Sequence, residues 1–411
     1  MKKNLKYIAF LALTLFIYNC KEEIELETEN FESVLVVEGT LTNEFGFQKI
    51  NLSRTYFLEG NEQILENNAT VKILDNTGGT FTFTQNNDGI YISDIEFKAL
   101  PDTFYSLSIT TSNGKQYMSL ENELTPISQI DNLYVDYNTN EEQAQVFVDS
   151  ENQTNGAQYF RYEYEETYKI IVPYYSLQNG FVTNVINNGE EYDIELEPKT
   201  ENEKTCFTTK ESTDIIQTST TLLGDNIVYR FPVRTINKEN SIIRERYSIL
   251  VKQYVQSLEA YNYFKIIKEL GINDNVLSEN QPGFVNGNIN SINDANEKII
   301  GFFEVASVTS ERIYFNYQDL GISKPNYFYD CEYRTDDGGI INANRNHLKL
   351  DYNLVGGPGA PNQRLDLYRT LTSNDPYKYF SESGTVYEIV SPLCGDCTSF
   401  SSNIQPDFWI D

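Results

Sequence analysis

Residues 69–94 read ATVKILDNTGGTFTFTQNNDGIYISD, and this stretch decides the fold. Val71 and Ile73 alternate with polar neighbours, and Phe81 and Phe83 do the same. Asn76-Thr77-Gly78-Gly79 and Asn86-Asn87-Asp88-Gly89 stand between the apolar segments. Period-two alternation broken by such turn clusters predicts hairpinned strands over Ala69–Asp75, Thr80–Gln85 and Ile90–Asp94. The pattern extends in both directions. Ser33–Thr42 and Gln48–Tyr56 read as strands before it; Thr103–Thr111 and Lys115–Glu121, joined by Asn113-Gly114, read as strands after it. Seven short strands without a helical period predict an immunoglobulin-like β-sandwich over residues 33–125. No Cys…Trp…Cys framework lies there, so the expectation is sandwich architecture alone.

Thr125-Pro126-Ile127 marks a boundary, and residues 126–411 read as a larger β-rich domain with one or two helices. Strands are expected at Tyr159–Tyr168, Ile170–Pro173, Tyr229–Val233, Arg246–Val255 and Thr385–Val390. Phe302–Val308 and Arg312–Tyr317 read as a strand pair. The Asn/Glu-rich stretch between Lys169 and Thr205 reads as a surface loop or hairpin. One helix is clear. Ser257 can cap it, Glu259 sits in its first turn, Ala260, Phe264 and Ile267 share a face, and Gly271 is placed to stop it. Thirty tyrosines and 24 phenylalanines fit the β reading.

The N-terminus has a different logic. Lys2, Lys3 and Lys6 precede the apolar run Tyr7–Ile17, which as a helix spans about 16 Å, too short for a hydrocarbon core of about 30 Å. Residues 1–19 therefore read as a signal peptide. Ile17-Tyr18-Asn19-Cys20 resembles the lipobox of bacterial lipoproteins, although Tyr18 and Asn19 are bulkier than the small residues usual there. Cys20 is the expected lipidation site and residues 20–32 an acidic tether. Lys21-Glu22-Glu23 resembles the signal that sends lipoproteins of the Bacteroidota to the outer face of their outer membrane.

The net charge is −29, and −32 once residues 1–19 and their three lysines are gone. Nucleic acid is excluded as a partner, because phosphate binding needs a basic surface. Besides Cys20 there remain Cys206, Cys331, Cys394 and Cys397, an even set that predicts two disulfides with connectivity open. Cys394-Gly-Asp-Cys397 has redox or zinc spacing. Zinc lacks a second ligand pair, and a redox motif should open a helix after a strand, whereas here Ser391-Pro392 precedes the pair and a Ser/Asn-rich loop follows, so a structural disulfide is expected.

Catalytic signals are weak. His347 is the lone histidine, in the polar run Asn342–Lys349, and reads as a surface residue. Gly356–Pro361 lacks the Lys-Ser/Thr of a phosphate loop. Asn286-x-Asn288-x-Asn290 with Glu297 echoes a calcium loop, but Ser291 stands where its glycine belongs, so a structural turn is expected. No cofactor or metal is expected.

Several segments together resemble the outer-membrane lipoproteins of the Bacteroidota grouped as domain of unknown function 4249. They are Leu35-Val36-Val37-Glu38-Gly39, Asn51-Leu52-Ser53-Arg54, Arg230-Phe231-Pro232, Arg246-Tyr247-Ser248, Val251–Tyr254, Gln281-Pro282, Gly287-Asn288-Ile289, Gly301-Phe302-Phe303, Ala306-Ser307, Cys394-x-Asp396-Cys397, Asn403 and Pro406-Asp407-Phe408-Trp409. The resemblance runs over nearly the whole mature chain. It implies no activity, but it implies an accessory role beside a TonB-dependent receptor. The expected function is that of a non-enzymatic, surface-exposed lipoprotein that captures ligand for, or supports, such a receptor. The alternatives are a cell-surface adhesion or structural protein, or a glycan-active enzyme using two of the 60 acids.

Overall fold

The computed structural model describes residues 33–55, 64–151, 156–223, 225–272, 285–333, 346–356, 362–374 and 376–411. The chain is mainly β. The N-terminal strands are β1 (Leu35–Thr42), β2 (Lys49–Arg54), β3 (Ile64–Leu65), β4 (Thr70–Asp75), β5 (Thr80–Gln85), β6 (Ile90–Ser93), β7 (Phe104–Thr110), β8 (Gln116–Ser119) and β9 (Asn122–Glu123). The turns between them close through side chains: Asp75 Oδ1 accepts from the Thr77 and Gly79 amides, and Asn86 Oδ1 from those of Asp88 and Ile90. All seven expected strands are present, in the hydrogen-bonded order β1-β2-β6-β5-β4-β7-β8. This pairing does not separate them into the two sheets of an immunoglobulin-like sandwich. Leu35, Ile50, Val71, Leu107 and Tyr117 nevertheless share one buried cluster, so the sheet turns its apolar face in on itself.

The next elements are β10 (Asn132–Asn138), β11 (Gln143–Glu151), β12 (Tyr159–Ile171), β13 (Gln178–Ile186), β14 (Glu191–Pro198), β15 (Thr205–Glu211), β16 (Ile216–Ser219), β17 (Ile227–Asn237), β18 (Tyr247–Val255) and helix α1 (Leu258–Ile272). There follow β19 (Ile289–Ser291), β20 (Ile299–Phe315), β21 (His347–Asp351), α2 (Gln363–Leu371), β22 (Lys378–Ser383), β23 (Val386–Val390) and α3 (Pro392–Gly395). The polar excursion after Lys169 is the hairpin β13–β14. Helix α1 starts where Ser257 Oγ accepts from the Ala260 amide, but it continues through Gly271 to Ile272, so that glycine does not stop it.

Strand β20 connects the parts. Its first half runs parallel to β1, from Leu35 opposite Ile299 to Thr42 opposite Ala306. Its second half runs antiparallel to β18, from Val255 opposite Ser307 to Tyr247 opposite Phe315. The expected pair Phe302–Val308 and Arg312–Tyr317 is thus one strand. The polar residues Thr309-Ser310-Glu311 lie opposite Gln253, Lys252 and Val251 and do not interrupt it. Tyr159–Tyr168 and Ile170–Pro173 merge in the same way into β12, which pairs with β18 and β15. Strand β19 pairs with β8, so residues after 285 complete the N-terminal sheet.

A buried polar knot holds this junction. Arg161 of β12 donates to Glu304 of β20 at 2.5 Å, Gln256 donates to the other Glu304 oxygen at 3.2 Å, and Thr40 of β1 reaches the first at 3.5 Å. The Arg161 guanidinium also lies over the Tyr254 and Phe264 rings, at 4.4 and 5.0 Å. Burial works against the Arg161 charge, but Glu304 and Glu163 outweigh it and hold the guanidinium firmly protonated.

Candidate functional site

Seventeen residues of β20, at about 3.3 Å each, make a strand contour of roughly 50 Å. Leu35, the first residue of β1, stands beside its start; Phe315 ends it. Beyond Phe315 the chain leaves regular structure and, together with the ends of neighbouring strands, builds a cleft of about 550 Å³. Pro173 and Tyr174 enter it just past β12, Arg244 just before β18, and Asn326–Glu332 from the segment after β20.

Four wall residues, Arg244, Tyr327, Phe328 and Tyr329, are held by contacts outside the lining. Phe328 stacks on Tyr168 with ring centroids 5.5 Å apart, and Tyr329 meets Phe400 edge-on at 5.2 Å. The Tyr327 hydroxyl donates to the Leu393 carbonyl at 3.1 Å. Arg244 Nη1 donates to the Pro325 carbonyl at 2.5 Å, and its Nε lies 3.5 Å from a Glu245 oxygen. Burial, reinforced by the charges of Glu332 and Glu388, pushes the Tyr174 hydroxyl above its ordinary pKa.

The cleft floor is tied by sulfur. Cys331 bonds to Cys394, and Cys206 of β15 bonds to Cys397, both with Cα atoms 5.8 Å apart. Cys394 and Cys397 thus never pair with one another; each binds a distant segment. Asp396 between them caps the turn that follows, its Oδ1 accepting from the Thr398 amide at 2.9 Å, while its Oδ2 meets Lys378 at 2.7 Å. Burial would raise the Asp396 carboxyl, but Lys378 and Thr398 outweigh burial and hold it below the usual range.

His347 is not on the surface. It is 4% exposed, packed against Tyr174 at 4.4 Å between centroids, with Phe380 and Tyr333 on other sides. Its Nε2 lies 2.7 Å from Glu388 Oε1 and its Nδ1 3.3 Å from the Cys331 carbonyl oxygen. Glu388 is shared with Lys349 and Ser381, which with His347 outweigh burial and keep its carboxyl below the usual range. The polar neighbours of His347 in sequence hid this, because the covering rings come from remote segments.

The calcium-like stretch is a brace. Asn288 exchanges two hydrogen bonds with the Phe303 backbone, at 2.7 and 2.8 Å. Glu297 accepts from Lys115, Tyr117 and Ser291 at 2.7, 2.9 and 3.0 Å. Among the described residues no group of three or more His, Cys, Asp or Glu is placed to hold a metal ion, and no helix is long and apolar enough to cross a membrane. Cys20, Lys21, Glu22, Glu23, Gln281-Pro282 and residues 357–361 lie outside the described residues.

Other motif residues form structure. Phe408 lies under the Arg312 guanidinium at 3.6 Å, and Trp409 packs on Phe207 and Tyr314, so the C-terminal tail covers the sheet of β15, β12, β18 and β20. Tyr247 donates to Glu166 at 2.7 Å, and Arg234 grips the same carboxylate bidentately at 2.9 and 3.0 Å. The cleft itself was not found by sequence reasoning. Its one sequence signal is the aromatic run Tyr327-Phe328-Tyr329 next to Cys331. Chemically it offers ring faces and carboxylates, a surface suited to recognition.

Among solved structures, a mutant of Salmonella alpha-2-macroglobulin aligns at 8% identity and TM-score 0.17, over 55% of this chain and 14% of that one. A putative membrane anchored protein from Corynebacterium diphtheriae aligns at 12% identity and TM-score 0.16, over 54% of this chain and 55% of that one. At these TM-scores neither likeness bears on fold or role. No curated protein matches the sequence. The profile of the Domain of unknown function (DUF4249) matches residues 21–312, so the cysteine pair and the Pro406–Trp409 motif lie beyond the matched range. The chain belongs to this DUF4249 family.

Proposed function

We propose that this protein is an outer-membrane lipoprotein, anchored through Cys20 and facing the cell exterior, that captures ligand without catalysis for a TonB-dependent receptor. The observation that carries this reading is the position of the cleft. The tether leads into Ser33 and β1, at the start of the β20 path, and the cleft lies at the other end of that path. Cys20 stands thirteen residues before Ser33, and the cleft lies at the far end of the β20 path from Ser33, which supports a cleft held away from the anchor. Capture fits the cleft's content better than chemistry does. Its two nearest cysteines are joined as a disulfide, and His347 stands behind Tyr174 with both ring nitrogens against oxygen acceptors.

The test is localisation on intact cells. Fatty-acid labelling should mark the wild type and fail on Cys20→Ser, and an external protease should digest the wild-type protein without lysis. Protection until the outer membrane is broken, or unchanged labelling of Cys20→Ser, would overturn the assignment.

A further inference from the structure

We propose that the second half of β20 is a docking edge, to which an extended segment of a partner protein carrying a lysine or arginine adds as one more strand. The edge is separate from the cleft. None of Ser310, Glu311, Arg312 or Tyr314 lines that cavity, and the inference holds whether or not the cleft captures ligand.

The edge is open because β1 leaves it. β1 accompanies β20 only as far as Thr42 opposite Ala306, and beyond that point β18 alone among the described strands lies beside it. The Ser307 amide donates to Thr125 Oγ1, which donates on to the Val255 carbonyl of β18, at 2.8 Å each. The Tyr317 amide donates to the Ile243 carbonyl, just ahead of β18, at 3.1 Å. Odd-numbered residues therefore turn their N–H and C=O groups toward β18, in the alternation of an antiparallel ladder. Even-numbered residues turn theirs toward the side that β1 vacates. That row is closed at both ends, the Val308 amide by Asn43 Oδ1 at 2.7 Å and the Asn316 amide by Asp319 Oδ2 at 2.8 Å. Between the caps, Ser310, Arg312 and Tyr314 present their N–H and C=O groups with no strand beside them among the described residues. Such a row is a template for an added strand.

Glu311 selects which strand. It stands opposite buried Val251, on the face where Ile313 packs with Leu133 and Val135 of β10. Burial pushes its carboxyl above the usual range, and no cation or hydrogen-bond donor among the described residues meets it. An added strand brings its own inward side chains alongside Glu311, so a lysine or arginine there gains an ion pair and an acid is rejected. A second copy of this chain supplies no such cation, because the inward residues of its edge are Thr309, Glu311, Ile313 and Phe315. Two chains of net charge −29 also repel one another. The inward carboxylate thus guards the edge against self-pairing and admits a basic partner.

The measurement is hydrogen exchange at single residues on the full-length lipoprotein in detergent. In the free protein the Ser310, Arg312 and Tyr314 amides should exchange at least about a hundredfold faster than those of Thr309, Glu311 and Ile313. Equal protection of the two sets would mean that the chain itself or a second copy already covers the edge, and would overturn the proposal. The probe is the end-blocked peptide Thr-Val-Thr-Lys-Thr-Val-Thr, with a Lys-to-Glu form and a form N-methylated at alternate residues. The lysine peptide should slow exchange at the three open amides, saturably and at least about tenfold tighter than the glutamate peptide. The N-methylated form, which cannot complete the ladder, should leave them fast. Glu311→Gln should bind the lysine and glutamate peptides within about twofold of each other. It should also melt no lower than wild type, since it removes an uncompensated carboxylate. No protection by the lysine peptide, equal protection by the N-methylated form, or a charge preference that survives in Glu311→Gln would overturn the proposal.

Discussion

Gly287 and Gly301 face each other so closely that a methyl group on Gly287 would lie 1.5 Å from the Gly301 carbonyl oxygen. Gly301 itself has φ +147°, and a methyl there would lie 2.2 Å from the Val37 carbonyl oxygen. The stretches containing Val37, Gly287 and Gly301, far apart in sequence, therefore meet backbone to backbone where β20 joins β1. Gly287→Ala should destabilise by more than about 4 kcal/mol or prevent folding, because backbone rather than a yielding side chain blocks it. Gly114→Ala is the control. Its added methyl meets nothing within 4 Å, and only its φ of +85° is unfavourable, at about 1–2 kcal/mol. Urea unfolding of the two variants checks the contrast; equal losses would mean the close approach is not rigid.

Residues 69–94 show what sequence can disclose. There alternation, turn residues and pairing partners are all local, so β4, β5 and β6 fall within a residue of their expected bounds. β20 shows the opposite case. Its midpoint is polar, and only the change of partner from β1 to β18, far away in sequence, keeps it extended. β10 and β11 escaped notice, although β10 pairs with β11 over its whole length. His347 and the cleft were hidden for one reason: their surroundings are assembled from residues 173–174, 244, 326–332 and 380, which no window of sequence contains together. The four cysteines were legible as disulfide partners, but their connectivity depends on where β15 and the segment after β20 meet the C-terminal turn.

Breaking the Arg161–Glu304 pair from one side should be costly. Both side chains are buried, so Glu304→Gln leaves the guanidinium with only the exposed carboxylate of Glu163 and should cost up to about 3–5 kcal/mol. Arg161→Met combined with Glu304→Met should cost less than either single change, since no buried charge remains. A double-mutant cycle by thermal unfolding reads the coupling; strict additivity would remove the pair from its role at the junction.

Mass mapping of the purified, unreduced protein should recover Cys206–Cys397 and Cys331–Cys394 as cross-linked peptides and no Cys394–Cys397 link. Cys206→Ala with Cys397→Ala should lower stability by about 2–5 kcal/mol, a bridge across 191 residues constraining the unfolded chain strongly. A variant that melts with the wild type would show that the bridge is dispensable.

Stability should fall in acid, in part through Asp396. Its carboxyl is held below the ordinary range in the folded chain, so the unfolded state binds the proton more readily. The stabilisation is complete above the unfolded carboxylate pKa of about 3.9 and is lost as pH falls further through the lowered folded value. Asp396→Asn should therefore be less stable than wild type at neutral pH, and the gap should narrow as pH drops below about 4. Melting curves across pH decide this, and a gap independent of pH would assign the loss to the Thr398 cap alone.

The central claim, a receptor-associated capture protein on the cell surface, is tested most directly by affinity purification of the full-length protein from detergent-solubilised outer membranes of its native cells. The account predicts that a TonB-dependent receptor barrel co-purifies in near-stoichiometric amount. A protein that always elutes alone, from membranes in which such receptors are abundant, would contradict it.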